Sequence, residues 1–259
     1  MKQALLIVSF GTTVPKAKLD IEGVERALAE AAPQMDVHRA YTSSIIRRIL
    51  SGRGEPVPSV EEALEQLAEQ GYTHVYVQPT HLLPGVEYAK IKRALHSFPR
   101  RKRFEKLALG SPLLPDNRSL LELAGVIGTC YLPEEGALVL MGHGSESFAN
   151  LVYPALQTVL ALSGVERAYV GTVEGWPELD QVLEQLKRTE YRQVKLVPLM
   201  LVAGDHAVND MAGEAPESWK SRLEAAGYAV SCHMDGLGSQ PAIQAMYQKR
   251  LRALLETAQ

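Results

Sequence analysis

The sequence predicts an α/β protein made of two similar lobes, each a four-stranded parallel sheet flanked by helices. Three observations carry this. Short apolar runs alternate with amphipathic segments along all 259 residues. Several runs, among them LLIV, ALVLM and, apart from its one lysine, VKLVPLMLV, are continuously apolar, as strands covered on both faces are. The two halves also resemble each other. VHRAY at Val37–Tyr41 matches VERAY at Val165–Tyr169, and LEQLAEQGYTHVYVQP at Leu64–Pro79 matches LEQLKRTEYRQVKLVP at Leu183–Pro198. The matched segments occupy the same place in each half, which points to an old duplication. Chance likeness of βαβ units is the alternative.

In chain order, strands are expected at Ala4–Phe10, Asp36–Tyr41, His74–Gln78 and Lys106–Gly110. The second half repeats the pattern at Ala137–Met141, Arg167–Val170, Gln193–Pro198 and Ala229–His233. Ile21–Ala32, Val60–Gln70 and Leu179–Lys187 carry apolar residues at three- and four-residue spacing and read as helices. Ser59 and Glu62 form a capping box: the hydroxyl accepts a free helix N–H and the carboxylate reaches back. Pro58 keeps any helix from running into that turn. The βα alternation argues for a doubly wound fold with right-handed crossovers. The first lobe is expected over residues 1–125 and the second over 126–240, with the joint within Pro115–Glu135. Pro241–Leu255 reads as a helix, and residues 241–259 are expected to pack back on the first lobe. A cleft between lobes would follow, and such clefts favour ligands.

Composition narrows the function classes. Hydrophobic residues make up 46% and charged residues 22%, which excludes disordered and collagen-like chains. No apolar stretch is long enough for a transmembrane helix. The opening MKQALLIVSFGTT is short for a secretory leader and reads as the first strand, so a cytoplasmic protein is expected. A net charge of −3 argues against a nucleic-acid partner. The one basic run, Arg100–Arg103 with Lys106 beyond it, is either an anion-docking patch or a solvated loop. Cys130 and Cys232 have neither CxxC nor zinc spacing and are expected to be ordinary core thiols.

Among seven histidines, two stand out by position. His143 lies in MGHGSES, directly after the strand ALVLM and between Gly142 and Gly144. His206 lies in LVAGDHAVND, after VKLVPLM. Glu174 lies in VGTVEGWPEL, after RAYV. Three potential ligands thus follow three successive strands of one lobe, where the carboxyl ends of a parallel sheet form a binding crevice. Two imidazoles and a carboxylate suit a divalent first-row metal. The alternative is that Glu174 caps the next helix and the histidines merely sit in turns. Asp205 and Asp210 flank His206, either orienting its ring or capping the helix. Ser145 reads better as a helix cap than as a nucleophile. No phosphate-cradling loop, GxGxxG, HExxH or GxSxG occurs. Under the repeat alignment Glu87 falls opposite His206 and Phe10 near His143, so the first lobe lacks the two-histidine pattern.

LLIVSFGTT, QPTHLLPGVEY, MGHGSES, GTVEGWP, LMLVAGDHAVNDMAGEAPESWK and GLGSQPAI together resemble the anaerobic cobalt chelatases of cobalamin biosynthesis, which act on sirohydrochlorin. The resemblance covers nearly the whole chain, and GDHAVNDMA with GTVEG is its most specific part. It implies a chelatase-like fold of two lobes around a tetrapyrrole cleft. It places the family's metal-binding histidines on His143 and His206 and its active-site glutamate on Glu174. It further implies Co²⁺ as the substrate metal, no nucleotide, a sirohydrochlorin-type tetrapyrrole as partner, neither nucleic acid nor membrane as partner, and, from family tendency, a homo-oligomer. A substrate with many carboxylates directs attention to Arg47, Arg48, Arg53, Lys90 and Lys92, just beyond strand ends of the first lobe. Phe10, Glu87 and Ser145 are further candidates for substrate contact.

The expected chemistry is insertion of a divalent metal into a free-base macrocycle, with loss of two pyrrole protons. His143 and His206 would hold the metal, and one imidazole, His143, would accept a proton. Glu174 would complete the site or relay protons. The donor set does not choose among cobalt, iron and nickel. A ferrochelatase, a nickel chelatase and a non-enzymatic tetrapyrrole or metal carrier are the competing expectations.

Overall fold

The computed structural model describes residues 2–98 and 103–257. Its elements alternate as β1 (Gln3–Ser9), α1 (Pro15–Ala31), β2 (Asp36–Tyr41), α2 (Ser44–Gly52), α3 (Val60–Glu69), β3 (His74–Pro79), α4 (Val86–Ser97) and β4 (Lys106–Leu109). The second series is α5 (Asn117–Cys130), β5 (Ala137–Gly142), α6 (Val152–Leu162), β6 (Ala168–Thr172), α7 (Leu179–Leu186), β7 (Gln193–Leu199), α8 (Trp219–Ala225), β8 (Ala229–Cys232) and α9 (Pro241–Thr257). The strands form two four-stranded sheets, ordered β2-β1-β3-β4 and β6-β5-β7-β8. All pairs are parallel. The identical order in both sheets is what the paired sequence segments require, since β2 corresponds to β6 and β3 to β7.

The apolar runs become the central strands because both faces are covered. Leu5, Leu6, Ile7 and Val8 of β1 and Leu138, Val139, Leu140 and Met141 of β5 are fully buried. One core gathers β1 and β3 with Leu64, Leu67, Ile91 and Leu95 of α3 and α4. The other gathers β5 and β7 with Val182, Leu186, Trp219 and Leu223 of α7 and α8. The capping box at α3 is formed: the Glu62 N–H donates to Ser59 Oγ at 3.1 Å, and the Ser59 N–H donates to Glu62 Oε2 at 2.6 Å. Helix α1 begins at Pro15, six residues before the expected Ile21. Proline at the first helical position lacks only an N–H that the helix does not use, so the early polar residues join the helix.

The chain divides into two compact units, one of residues up to Pro115 plus those from Gly238 onward, the other Asp116–Leu237. The sequence reading set the division at 125/126, inside α5. Asp116 starts that helix with its own capping box, and α5 packs on α6 of the second unit, so the division falls ahead of the helix. In the first unit α9 lies against α1. There the Tyr247 hydroxyl donates to the Thr80 carbonyl at 2.5 Å and Gln248 donates to the Ala27 carbonyl at 2.8 Å.

The expectation for the cysteines is corrected, and the one for the basic run stays open. Cys130 is exposed at the end of α5 and Cys232 is half-buried on β8; both are free thiols, and neither is a fully buried core residue. Of the basic run, Arg100–Lys102 lie outside the described residues, and Arg103 pairs with Glu65. No helix among the described residues is long and apolar enough to cross a membrane.

Candidate metal centre

The second unit brings His143, Glu174 and His206 together. One ligand atom from each lies within 4.8 Å of the others, and among the described residues this is the group able to hold a metal ion. The sheet order explains it. β5 is flanked by β6 on one side and β7 on the other, so the loops following these three strands open at one edge, with His143 in the middle. The β5–β6 ladder continues past the strand ends: Val173 N–H donates to the Gly142 carbonyl at 3.0 Å and Glu174 N–H to the His143 carbonyl at 2.8 Å. His143 and Glu174 are therefore cross-strand neighbours although some thirty residues separate them. Their side chains approach to 3.7 Å, Nδ1 to Oε2. The two imidazoles meet edge to face, with centroids 4.7 Å apart and planes at 85°.

The loop after β5 is built to hold this edge. Gly142 has the Tyr153 ring where a Cβ would stand. The Tyr153 hydroxyl accepts the Gly144 N–H at 3.2 Å, and burial holds its phenol above the usual range, so it stays protonated. Asn150 ties the two loops: its Oδ1 accepts the Ser145 N–H at 3.0 Å and its Nδ2 donates to the Trp176 carbonyl at 2.6 Å. The loop after β7 enters a short π-helical turn, Ala207–Met211. Its Ala207 and Met211 are fully buried and anchor it in the core.

The alternative roles considered for these residues do not hold. Helix α7 is capped by Glu178, with Gln181 closing a capping box, and not by Glu174. The 3₁₀ turn Phe148–Leu151 is capped by Ser147, while the Ser145 hydroxyl pairs with the Ser147 hydroxyl at 2.8 Å and accepts the Ser147 N–H at 3.2 Å. The two aspartates separate cleanly: Asp210 Oδ2 lies 2.6 Å from His206 Nδ1, whereas Asp205 accepts from Asn209 at 2.9 Å. Tyr153 and Asn150 escaped the sequence reading. No spacing rule ties either to His143, because both act through a non-repeating loop.

The remaining candidates belong to the first unit. Phe10 follows β1 and is exposed. Glu87 sits in the first turn of α4 and pairs with Lys90, while its Oε2 is buried without a partner. Arg47 pairs with Glu62 at 3.1 Å, Arg48 is exposed, Arg53 donates to the Thr13 carbonyl at 2.9 Å, and Lys92 lies 5.9 Å from the Tyr88 ring centre. Arg47, Lys90 and Arg93 line one cavity of about 270 Å³ together with Glu61. Glu62 and Glu87 already neutralise two of those cations, so the cavity has little surplus positive charge.

His81, after β3, carries a pH dependence of its own. Its Nδ1 is buried without a partner, and its Nε2 lies 3.5 Å from the Thr42 hydroxyl. Burial pushes the imidazole down to about 4 from its ordinary 6.5; Glu87 opposes the shift and Lys90 adds to it. The unfolded chain thus takes up a proton that the folded chain refuses. The stabilisation is complete above pH 6.5 and is lost as pH falls towards 4, with a slope of at most about 1.4 kcal/mol per pH unit. His81→Gln is expected to flatten the urea midpoint against pH in that window. Parallel profiles for variant and wild type would count against this origin.

A doubly wound unit with two imidazoles and a carboxylate at the carboxyl edge of its sheet presents a donor set that could hold a divalent transition metal. The particular family follows from comparison. The family model described as cobalt chelatase (CbiK) matches residues 3–256, and the chain belongs to that family. It is 39% identical over 262 residues to the sirohydrochlorin cobaltochelatase of Salmonella typhimurium, covering 100% of this chain and 98% of that protein. It is 35% identical over 230 residues to the sirohydrochlorin cobaltochelatase CbiKC of Nitratidesulfovibrio vulgaris, covering 87% and 81%. Among solved structures, SirB of Bacillus subtilis with Fe³⁺ superposes with a TM-score of 0.64 at 20% identity, covering 100% of this chain and 96% of that one, which bears on the fold alone.

Proposed function

We propose that this protein inserts Co²⁺ into sirohydrochlorin without a nucleotide, in anaerobic cobalamin biosynthesis. The observation that carries the reading is the convergence of His143, Glu174 and His206 within 4.8 Å in a chain of the cobalt chelatase family. Cobalt here is substrate, not resident cofactor. The macrocycle gives up two N–H protons and the metal gives up its water ligands. Two neutral imidazoles replace those waters on one side of the ring, and a carboxylate balances part of the metal's charge. His143 lies beside Glu174 at 3.7 Å, so a proton taken by its ring has an acceptor next to it. Exposure suits this role: the two side chains are 46% and 59% open, and a planar substrate can reach them. The donor chemistry does not rank Co²⁺ above Fe²⁺ or Ni²⁺; the family does.

The test is anaerobic insertion followed by the change in macrocycle absorbance, with each of the three metals and no nucleotide. Turnover with Co²⁺ is the expected result. Stoichiometric binding of ring or metal without insertion by any of the three would replace the enzyme with a carrier. Glu174→Gln keeps the shape and removes the charge. It is expected to lower kcat by about 10²-fold with the KM for sirohydrochlorin unchanged. An unchanged kcat would remove Glu174 from the proton path.

A further inference from the structure

We propose that Asp210 is a positioning residue for the centre: it fixes His206 as the Nδ1–H tautomer and thereby leaves Nε2 as the bare donor atom. The proposal rests on the reading of His206 as a metal ligand. An imidazole offers two nitrogens, and the hydrogen bond made by one decides which the metal receives. Asp210 Oδ2 stands 2.6 Å from His206 Nδ1, within hydrogen-bond reach, and bonds to an ionised acceptor are among the short, strong ones. A carboxylate only accepts, so the ring nitrogen must be the donor.

The backbone enforces this pairing. His206 and Asp210 are four residues apart, neighbours on one helical face. Val208 N–H reaches the Gly204 carbonyl at 3.1 Å, and Ala212 N–H reaches back five residues to the Ala207 carbonyl at 3.2 Å. This wider turn is pinned by the buried Ala207 and Met211. The competing acid is occupied, since Asp205 holds Asn209. His143 lacks such a partner. Its Nδ1 is 3.4 Å from the Gly144 carbonyl and 3.7 Å from Glu174. The two imidazoles are thus unequal: the His206 ring is locked by a carboxylate behind it, and the His143 ring is held only loosely.

Long-range ¹H–¹⁵N correlation of the imidazoles in the metal-free full chain reads the tautomer directly, with His206→Ala assigning the signal. Wild type is expected to show Nε2 of His206 as the unprotonated nitrogen of the neutral ring. Asp210→Asn can turn its amide to donate to Nδ1, and the tautomer is expected to become mixed or inverted. Co²⁺ titration of the same proteins, without tetrapyrrole, is expected to weaken 10- to 100-fold for Asp210→Ala and Asp210→Asn. Asp210→Glu should recover part of the loss, and Asp205→Asn should bind as wild type does. An Nε2–H tautomer in wild type, or a Co²⁺ affinity in Asp210→Ala within twofold of wild type, would overturn the proposal. Unaltered Co²⁺ binding by His206→Ala would overturn it together with the metal-site reading. Failure of insertion alone, with tautomer and affinity behaving as stated, would fell only the chelatase reading.

Discussion

His143→Ala and His206→Ala are each expected to lower the rate of Co²⁺ insertion into sirohydrochlorin by about 10³-fold or more, with little change in stability. The two halves of this expectation come from different features. Activity is lost because each imidazole supplies a function that its neighbour cannot duplicate. The His206 ring is fixed by Asp210 at 2.6 Å, and the His143 ring sits against Glu174. Stability is spared because neither ring is part of the core. Their side chains are 46% and 28% exposed, and substitutions of this kind usually stay within about 0.5 kcal/mol. The double variant should be hardly slower than either single one, as groups acting as a unit are strongly non-additive. Rates under anaerobic conditions and thermal unfolding of the three variants check this. A rate within tenfold of wild type for either single variant would remove that histidine from the centre.

How far the sequence discloses this arrangement depends on the kind of interaction. The sheets were legible because their strands are buried on both faces, so unbroken runs such as ALVLM have few other structures open to them. The convergence of His143, Glu174 and His206 was legible because each follows such a strand, and parallel topology sends those ends to one edge. Asp210 was half legible. Its spacing from His206 allows contact, but Asp205 is also adjacent in sequence, and only the wider turn at Ala207–Met211 decides between them. Tyr153 and Asn150 were not legible, since they reach the loop after β5 through hydrogen bonds that no periodicity encodes. The helix boundary at Asp116 was missed for a related reason: its cap pairs with Ser119 and not with the Glu or Gln that marks the usual box.

Gly144→Ala is expected to be among the most damaging single changes outside the donors themselves. Gly144 has φ +94°, a backbone conformation that costs an L-residue about 1–2 kcal/mol. A Cβ there would also lie 2.6 Å from the carbonyl carbon of Glu174 and from the Gly175 nitrogen. Backbone cannot swing aside as a flexible side chain does, so the two loops must part. The hydrogen bond from Glu174 N–H to the His143 carbonyl, 2.8 Å, and the Asn150 ties to Ser145 and Trp176 span that same contact. The substitution should therefore separate Glu174 from His143 without touching either side chain. A displacement near 1 Å in a reacting constellation costs about 10²-fold in rate. The expected outcome is a kcat lower by about that factor, together with a stability loss of about 2 kcal/mol from strain and overpacking. Gly164→Ala supplies the control. That residue has φ +79° but no atom within 4 Å of the added carbon. It should show the strain without the loss of kcat. If Gly144→Ala lowered stability yet left kcat at the wild-type value, the close approach of these loops would not be what holds Glu174 in the centre.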